Sequence, residues 1–224
     1  IVDGMGTMGK VRKSHPVGRS GHAGSSNGHA GEEAATDHTA LGAYIQRFSR
    51  ASVLVIGDLI LDHYVWGRVS RISPEAPVPV VHVESESLKL GGAANVFNNI
   101  LALGGQADIC GVIGADESGR LLLKELGGRR QGRGGVVIDQ SRPTTRKSRV
   151  VAHNQQIVRY DVERRTELSG ILQRRILRYV ESRLKELSCL VVSDYAKGVV
   201  TASLMTELTR LAGQRKIPIV VDPK

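Results

Sequence analysis

Short, continuous runs of β-branched and other apolar residues alternate along this chain with stretches whose apolar residues have helical spacing. Strands that are hydrophobic on both sides are typical of parallel sheets covered by helices on both faces. The apolar runs cover residues 52–56, 107–113, 190–193 and 217–221. We therefore predict an α/β fold with a doubly wound, mainly parallel sheet.

Four segments have the apolar periodicity of amphipathic helices. Asp116 and Thr201 stand at two expected N-caps, and Gly127 and Gly213 stand where the same two helices should end. The four helices are predicted over residues 94–103, 116–127, 168–187 and 201–213, and a short helix over residues 39–50.

Two further segments do not fit a parallel layer. Residues 77–83 contain prolines, which favour an edge strand or a separate sheet, and residues 147–160 hold short extended runs. We predict that these segments form a small β lid beside the main sheet. Another short extended run covers residues 136–138.

The first 38 residues differ in composition from the rest of the chain. They are rich in Gly, Ser and His and poor in large apolar side chains. Such a segment cannot bury enough surface to offset the entropy lost on ordering. We expect a disordered tail over residues 1–38, followed by one domain over residues 39–224.

Hydropathy and cysteine content indicate the cellular compartment in which the protein is expected. No stretch of 18 or more apolar residues is present, which argues against a membrane span, and the first residues contain no apolar core of a secretory signal. Cys110 and Cys189 lie within apolar runs and are expected to be inert core thiols. We expect a soluble cytoplasmic protein with no membrane partner.

The formal net charge of +9 raises the question of a nucleic-acid partner. Much of the excess lies in residues 129–149, which we interpret as a solvated basic loop. Aromatic residues make up only 4% of the chain and none lies in that stretch, so a stacking platform for single strands is not supported. We expect no nucleic-acid partner.

Carboxylates follow several of the predicted strands. Ligands of open α/β sheets bind outside the carboxyl ends of the strands, where Asp58, Asp116, Asp194 and Asp222 stand. Asp58 and Asp62 can each accept hydroxyl hydrogen bonds, which suits a polyol. Because Asp is also a common turn and cap residue, a structural role stays open for each of them.

The segment Gly91-Gly92-Ala93-Ala94-Asn95 comes just before a predicted helix. Small residues let a ligand approach the backbone, and the helix N-terminus offers free N–H groups. The segment is neither a dinucleotide-binding GxGxxG motif nor a Walker A loop, because the spacing differs and no Gly-Lys-Ser/Thr follows. It is a candidate wall of a sugar pocket.

Seven motifs, taken together, carry a resemblance. They are residues 57–64, 70–80 (Ser-Arg-Ile-Ser-Pro-Glu-Ala-Pro-Val-Pro-Val), 91–96, 142–147, 154–161 (beginning Asn-Gln-Gln), 193–198 and 222–224 (Asp-Pro-Lys). In their order and spacing the chain resembles the ribokinase (PfkB) carbohydrate kinase family. More narrowly, it resembles the kinase half of bifunctional heptose-7-phosphate kinase/heptose-1-phosphate adenylyltransferases.

The resemblance implies a ribokinase-like fold, a set of ligand-binding residues and a reaction. The sugar would be held by Asp58, Asp62, Gly91, Gly92 and Asn95, its phosphorylated end by Lys147, Arg149 and Gln155, and the phosphates of ATP and their Mg²⁺ would face Asp194, Lys197 and Lys224. The reaction would be ATP-dependent phosphorylation of D-glycero-D-manno-heptose 7-phosphate at C1, a step in making ADP-heptose for the lipopolysaccharide core. The lid strands would close over the sugar and form a homodimer contact.

Two family motifs are not found in this chain. These are the Gly-x-Gly-Asp loop that carries the catalytic base and the Asn-x-x-Glu magnesium motif, both of which lie beyond the Asp-Pro-Lys in the family. We therefore expect a C-terminally truncated fold with no catalytic residue, no metal ligand and little or no kinase activity of its own.

Three other hypotheses stay open. The chain could be part of another sugar kinase of the same superfamily, a non-catalytic sugar-binding remnant, or a basic nucleic-acid binder acting through residues 127–149 and the N-terminal tail. The Ser-Pro-Glu-Ala-Pro and Asn-Gln-Gln runs favour heptose over other sugars, and the lack of aromatic residues makes the nucleic-acid binder the weakest.

Overall fold

The computed structural model describes residues 42, 44, 45, 47–127 and 134–224. The predicted disordered tail (1–38) lies outside these residues, as does most of the Gly- and Arg-rich patch at 127–135. Of the short helix predicted over residues 39–50, the described part includes a 3₁₀ turn at Phe48–Arg50.

The main layer is a five-stranded sheet that contains all the predicted buried strands. Its strands are β1 (Ser52–Gly57), β4 (Gln106–Gly114), β5 (Gly135–Asp139), β8 (Cys189–Ser193) and β9 (Ile219–Asp222). They lie in the order β5-β4-β1-β8-β9, and every neighbouring pair is parallel. The first strand is therefore central, β4 and β5 extend the sheet to one edge, and β8 and β9 extend it to the other.

Helices cover both faces of this sheet, as predicted. On β1, Leu54 and Ile56 pack into one apolar core and Val55 packs into the other, so the strand is buried on both sides. The second core also buries Phe97. The four helices are α1 (Ala93–Ala102), α2 (Glu117–Gly127), α3 (Gly170–Arg183) and α4 (Ala202–Arg215). None of the described helices is long and apolar enough to span a membrane.

Both predicted N-caps are confirmed. Asp116 accepts the backbone N–H of Gly119 at 2.8 Å, and Thr201 accepts that of Leu204 at 3.1 Å. The predicted end of α4 at Gly213 is wrong. That helix continues to Arg215 because Lys216 takes the left-handed conformation, at φ 56°, that terminates it.

The helix predicted over residues 168–187 is shorter than expected. Its α-helical part, α3, ends at Arg183 and is followed by a 3₁₀ turn, Leu184–Glu186. The apolar face is nevertheless the one predicted, since Ile176, Val180 and Leu184 are buried in the first core.

A second sheet of four strands forms the lid. Its strands are β2 (Leu59–Ile72), β3 (Pro79–Gly92), β6 (Thr145–Ala152) and β7 (Gln155–Val162), in the order β3-β2-β6-β7. Segment 147–160 is confirmed as two antiparallel strands, and segment 77–83 overlaps the start of the much longer β3. Strand β2, the partner of β3, was not predicted from the sequence.

The stretch interpreted as one solvated basic loop, residues 129–149, is divided by the fold. Arg142 is buried in an ion pair with Asp139 at 3.0 Å, whereas Lys147 and Arg149 belong to β6. In the described residues these charges therefore do not form a continuous basic surface, and the loop interpretation is wrong for residues 145–149, which are part of a strand.

Candidate functional site

A cavity of about 390 Å³ lies where the lid meets the carboxyl end of the main sheet. Its walls come from all four lid strands, from the start of α1 and from the loop after β8. It is lined by Ile60, Asp62, Tyr64, Lys89, Leu90, Gly91, Gly92, Asn95, Lys147, Arg149, Arg159 and Tyr195. The predicted residues Asp62, Gly91, Gly92, Asn95, Lys147 and Arg149 are thus brought together.

The lid presents its charges to the cavity in rows that follow from strand register. Asp62 on β2 lies opposite Lys89 on β3 and opposite Lys147 on β6, and Lys147 lies opposite Asp161 on β7. Directly paired residues share one face of a sheet. This first row therefore alternates between positive and negative charge across the four strands.

The next row along the same face is more positive. Tyr64 lies opposite Arg149, and Arg149 lies opposite Arg159. Like charges placed directly opposite each other destabilise a sheet unless another group compensates them. The four cations that line the cavity (Lys89, Lys147, Arg149, Arg159) outnumber the two carboxylates paired with them on this face, since Asp62 pairs with Arg149 and Asp161 pairs with Lys147 and Arg159. The cavity therefore suits a ligand with a negative charge.

Asp62 and Tyr64 organise the cations at the centre of the cavity. Arg149 Nη1 donates to Asp62 Oδ1 at 2.6 Å. Desolvation would lower the pKa of Arg149, but the hydrogen bond and charge of Asp62 raise it overall. Arg149 and Lys89 lie 5.2 Å and 5.3 Å from the centre of the Tyr64 ring, within cation–π range.

The two glycines let the end of β3 approach β2 closely. A Cβ on Gly91 would lie 2.3 Å from Asp62 Oδ2. Gly92 has φ +55°, and a Cβ there would lie 2.3 Å from the carbonyl oxygen of Asp58. Gly91 therefore leaves room for the Asp62 carboxylate, whereas Gly92 requires glycine because of its positive φ and its contact with the backbone. Asn95 follows in the first turn of α1 and is exposed to the cavity.

Asp58 is not placed to bind a sugar, so this expectation is corrected. It is 1% exposed and does not line the cavity. One carboxylate oxygen accepts the backbone N–H groups of Tyr195 at 2.8 Å and Lys197 at 3.1 Å, and the other accepts that of Val199 at 3.2 Å. Burial raises the pKa of the Asp58 carboxyl, which the N–H donors only partly offset. Asp58 thus fixes the loop after β8 and thereby places Tyr195 at the cavity.

Gln155 also lies away from the cavity, in contrast to the prediction. It begins β7 opposite Ala152, which pairs with Gly67 at the far end of the lid. Along β2, Gly67 is roughly 16 Å from Asp62 at 3.3 Å per residue. Gln155 therefore does not join Lys147 and Arg149 at the charged end of the cavity.

Two of the residues predicted to face the nucleotide stand at adjacent strand ends. Asp194 follows β8, and its backbone N–H donates to the carbonyl of Asp222 at the end of β9 at 3.0 Å. Lys224, two residues further on, is exposed. Lys197 is buried instead, with its Nζ 2.7 Å from Glu163 Oε2.

Glu163 was not singled out from sequence and is the centre of an ion-pair cluster. Besides Lys197, its carboxylate contacts Arg165 at 2.8 Å and Lys147 at 3.8 Å. We call these four residues the Glu163 cluster. Burial would raise the pKa of Glu163, but Lys197, Arg165 and Lys147 together lower it to about 2.

This shift predicts an acid-dependent loss of stability. The folded-state pKa of Glu163 is below its ordinary value of 4.5, so its contribution is complete above pH 4.5 and is lost as the pH falls towards about 2. The contribution is on the order of 2–3 kcal/mol. In urea unfolding, the wild type and Glu163→Gln should differ in free energy of unfolding at pH 7, and this difference should narrow below pH 4.5 and close near pH 2. A difference that does not change with pH would contradict it.

Within the described part of the chain, no three His, Cys, Asp or Glu side chains form a cluster suited to a metal ion. Mg²⁺ that binds together with a nucleotide needs only one or two protein carboxylates, because phosphate oxygens supply other ligands. Asp194, at the carboxyl end of β8, is a carboxylate in a suitable place for this role.

Sequence comparison gives a consistent family. The profile of the pfkB family carbohydrate kinases matches residues 50–224. Bifunctional protein HldE of Geobacter sulfurreducens is 49% identical over 173 residues, which cover 77% of this chain and 35% of that protein. Bifunctional protein HldE of Trichlorobacter lovleyi is 46% identical over 188 residues, covering 84% and 38%. The chain thus spans little more than a third of the length of these relatives.

Solved structures share the fold at low identity. Phosphofructokinase-2 from Escherichia coli, in complex with fructose-6-phosphate, has a TM-score of 0.56 and 21% identity, covering 78% of this chain and 55% of that chain. A carbohydrate kinase from Agrobacterium tumefaciens has a TM-score of 0.57 and 17% identity, covering 76% and 53%. At these identities the likeness establishes the fold.

Proposed function

Since the chain belongs to the pfkB family of carbohydrate kinases, with the ribokinase-like α/β fold, we propose that it supplies the sugar-holding part of an ATP-dependent sugar kinase. The substrate we propose is D-glycero-D-manno-heptose 7-phosphate, phosphorylated at C1 to give the 1,7-bisphosphate. This would be a step towards ADP-heptose for the lipopolysaccharide core. The observation that carries the proposal is the cavity under the lid, which combines polyol ligands with an excess of cations.

The cavity has separate groups for a sugar and for a phosphate. Asp62 and Asn95 offer acceptors and a donor for hydroxyl groups beside Gly91 and Gly92. The cations of the second row, Arg149 and Arg159, lie further along the lid and suit a phosphoryl group, which Arg can bind through two parallel hydrogen bonds. A sugar that carries a phosphate at one end matches this division.

The choice of heptose rests on similarity. Relatives at 43–49% identity are called bifunctional protein HldE, and the runs at residues 70–80 and 154–156 resemble those of heptose-7-phosphate kinases. The nearest alternative is another sugar kinase of the family, such as one acting on fructose 6-phosphate or ribose. A sugar-binding protein without turnover is the second alternative.

The phosphoryl donor would bind at the carboxyl ends of β8 and β9. ATP with Mg²⁺ would supply the γ-phosphoryl group and the charge that neutralises it. Asp194 would approach the metal-bound phosphates, and the exposed Lys224 would contact a phosphate oxygen. Lys197 would contribute once its ammonium is released from Glu163, because phosphoryl transfer depends mainly on positioning and charge neutralisation.

A thermal-shift panel tests the proposed substrate. Melting would be followed with equal concentrations of D-glycero-D-manno-heptose 7-phosphate, fructose 6-phosphate and ribose. We expect heptose 7-phosphate to give the largest rise in melting temperature, because ribose lacks the phosphate and the similarity to the HldE proteins favours a heptose over fructose. Stabilisation by ribose or fructose 6-phosphate without a response to heptose 7-phosphate would reject the heptose proposal in favour of its nearest alternative.

We also propose a homodimer through the lid. The face opposite the charged rows is apolar and partly exposed, with Val83, Val158 and Tyr160 each about half exposed around a shallow cavity of about 680 Å³. Exposed apolar patches of this kind usually mark interaction sites. A second copy of the same face would cover it in a two-fold symmetric contact.

The dimer prediction is tested by adding charge to this face. We expect Tyr160→Glu to shift the species seen in sedimentation velocity from dimer to monomer, because a carboxylate would be buried without a partner. Ile171→Glu is the matched control, since Ile171 is 65% exposed on α3, away from the lid. A wild-type monomer at high micromolar concentration, or a dimer unaffected by Tyr160→Glu, would reject the lid contact.

A further inference from the structure

Glu163 lies at the point where the chain leaves the lid for the main layer, one residue after the end of β7. Its carboxylate contacts a lid residue, Lys147 on β6, and a residue of the loop after β8, Lys197. Among the described residues, the ion pairs that join a lid strand to this loop all pass through Glu163. The cluster is therefore both an electrostatic and a mechanical connection.

The carboxylate of Glu163 compensates the charges of two lysines that are both largely buried. The side chain of Lys197 is only 8% exposed and that of Lys147 only 16%, so each ammonium has lost most of its water. Buried charges of one sign require a compensating anion. Arg165 adds a third cation to the same carboxylate. Asp161 pairs with Lys147 at 2.9 Å and with Arg159 at 3.2 Å, so the extended group carries four positive and two negative charges.

We propose that Glu163 is a positioning residue that acts as an internal counter-ion, holding Lys147 and Lys197 in place of a phosphoryl group until a phosphorylated ligand displaces it. This proposal rests on the proposed function, in which Lys197 contacts a phosphate of ATP and Lys147 lines the cavity for the sugar phosphate. A phosphoryl dianion carries more charge and more acceptor oxygens than a carboxylate, so it competes well for two ammonium groups.

The exchange has a structural consequence. Once Lys197 pairs with a phosphoryl oxygen, Glu163 no longer ties the end of β7 to the loop after β8. The lid is then released from the position it has in this structure. A ligand shifts a conformational equilibrium only by its difference in affinity for the two states, and the counter-ion exchange supplies that difference. Ligands that lack a phosphoryl group leave the Glu163 cluster intact.

The test measures anion binding in variants of Glu163. Glu163→Gln removes the charge and keeps the shape, Glu163→Asp keeps the charge and shortens the reach, and Glu167→Gln is the control because Glu167 is exposed in the same segment. Melting temperatures would be measured in sodium phosphate and in sodium chloride at equal ionic strength. Titrations would use inorganic phosphate, heptose 7-phosphate and ATP as separate ligands.

We expect Glu163→Gln to melt lower than the wild type in chloride and to recover in phosphate, with inorganic phosphate bound about tenfold more tightly than by the wild type. Glu163→Asp should show a smaller gain in phosphate affinity, and Glu167→Gln should show no gain. Adding Lys197→Met to Glu163→Gln should remove the gain. Separate titrations with heptose 7-phosphate and ATP then identify which phosphoryl group uses the lysines.

The outcomes separate this inference from the proposed function. Equal lowering of the melting temperature in both salts, with no gain in phosphate affinity, means that Glu163 is only a structural ion pair and overturns the inference. If Glu163 is only a structural ion pair but the wild type binds heptose 7-phosphate, the proposed function stands and only the counter-ion role is rejected. If Glu163→Gln gains phosphate affinity while no variant binds heptose 7-phosphate, the counter-ion role stands and the heptose proposal fails.

Discussion

Replacing Asp58 with Ala is expected to lower the free energy of unfolding by about 3–5 kcal/mol, because it leaves buried N–H groups of the loop after β8 without an acceptor. The backbone N–H groups of Tyr195, Lys197 and Val199 all donate to this one carboxylate. Each orphaned buried donor costs about 1–3 kcal/mol, which water entering the loop would partly offset. Urea unfolding at pH 7 measures the loss.

Two further variants separate the acceptor role from a general effect of truncation. Asp58→Asn keeps one carbonyl oxygen, which can still accept from Tyr195 and Lys197, so we expect a loss of only about 1–2 kcal/mol. Asp222→Ala removes an exposed carboxylate from the end of β9 and should change stability by less than about 0.5 kcal/mol. Equal losses for Asp58→Ala and Asp222→Ala would show that Asp58 does not hold the loop.

The second large effect is expected at Asp62. Asp62→Asn should weaken the binding of a sugar phosphate by about 10- to 100-fold, since a charge-assisted hydrogen bond contributes about 1.5–3 kcal/mol. The variant also removes the ion pair that orients Arg149, so the phosphate end of the ligand is affected as well. Isothermal titration of the wild type and variant measures the ratio of dissociation constants.

The matched control for Asp62 is Glu84, which lies on the lid strand β3 and also pairs with a cation, Arg68, but neither residue lines the cavity. Glu84→Gln should therefore change affinity by less than about threefold. Unchanged binding by Asp62→Asn, or an equal loss in both variants, would contradict the assignment of Asp62 to the sugar.

Much of the main layer was predictable because its signals are local. Continuous apolar strands such as residues 107–113 and caps such as Asp116 and Thr201 depend on near neighbours in sequence, and the structure confirms them. The end of α4 was mispredicted because glycine commonly ends helices and Gly213 was taken as the end. The helix instead ends before Lys216, which adopts the left-handed conformation although it is not glycine.

The lid was harder to predict because its pairing partners are far apart in sequence. Strand β2 begins with three buried apolar residues, Leu59 to Leu61, and changes to alternating burial only near Val65, so no single period marks it. Once β2 is recognised, its register brings Lys89 and Arg159 to the cavity. The position of neither residue could be predicted from sequence spacing alone, since the strand order β3-β2-β6-β7 determines which side chains face the cavity.

The same limitation explains the errors at the site. Asp58 and Asp62 look equivalent in sequence, and only the loop after β8 shows that one binds backbone N–H groups while the other faces the cavity. Gln155 was assigned with Lys147 and Arg149 because all three lie close in sequence, but antiparallel pairing of β6 and β7 puts Gln155 at the opposite end. The role of Glu163 could not be predicted from the sequence because its ion-pair partners come from three separate segments.

The central claim, that the cavity under the lid holds a phosphorylated sugar, is tested most directly by one matched titration. Isothermal titration calorimetry would compare D-glycero-D-manno-heptose 7-phosphate with the same heptose lacking the phosphate, at two salt concentrations. We predict that the phosphorylated sugar binds at least about 30-fold more tightly, equivalent to roughly 2 kcal/mol from the cations around Tyr64, and that added salt reduces the difference. Equal affinity for the two sugars, or binding of neither, would contradict the claim.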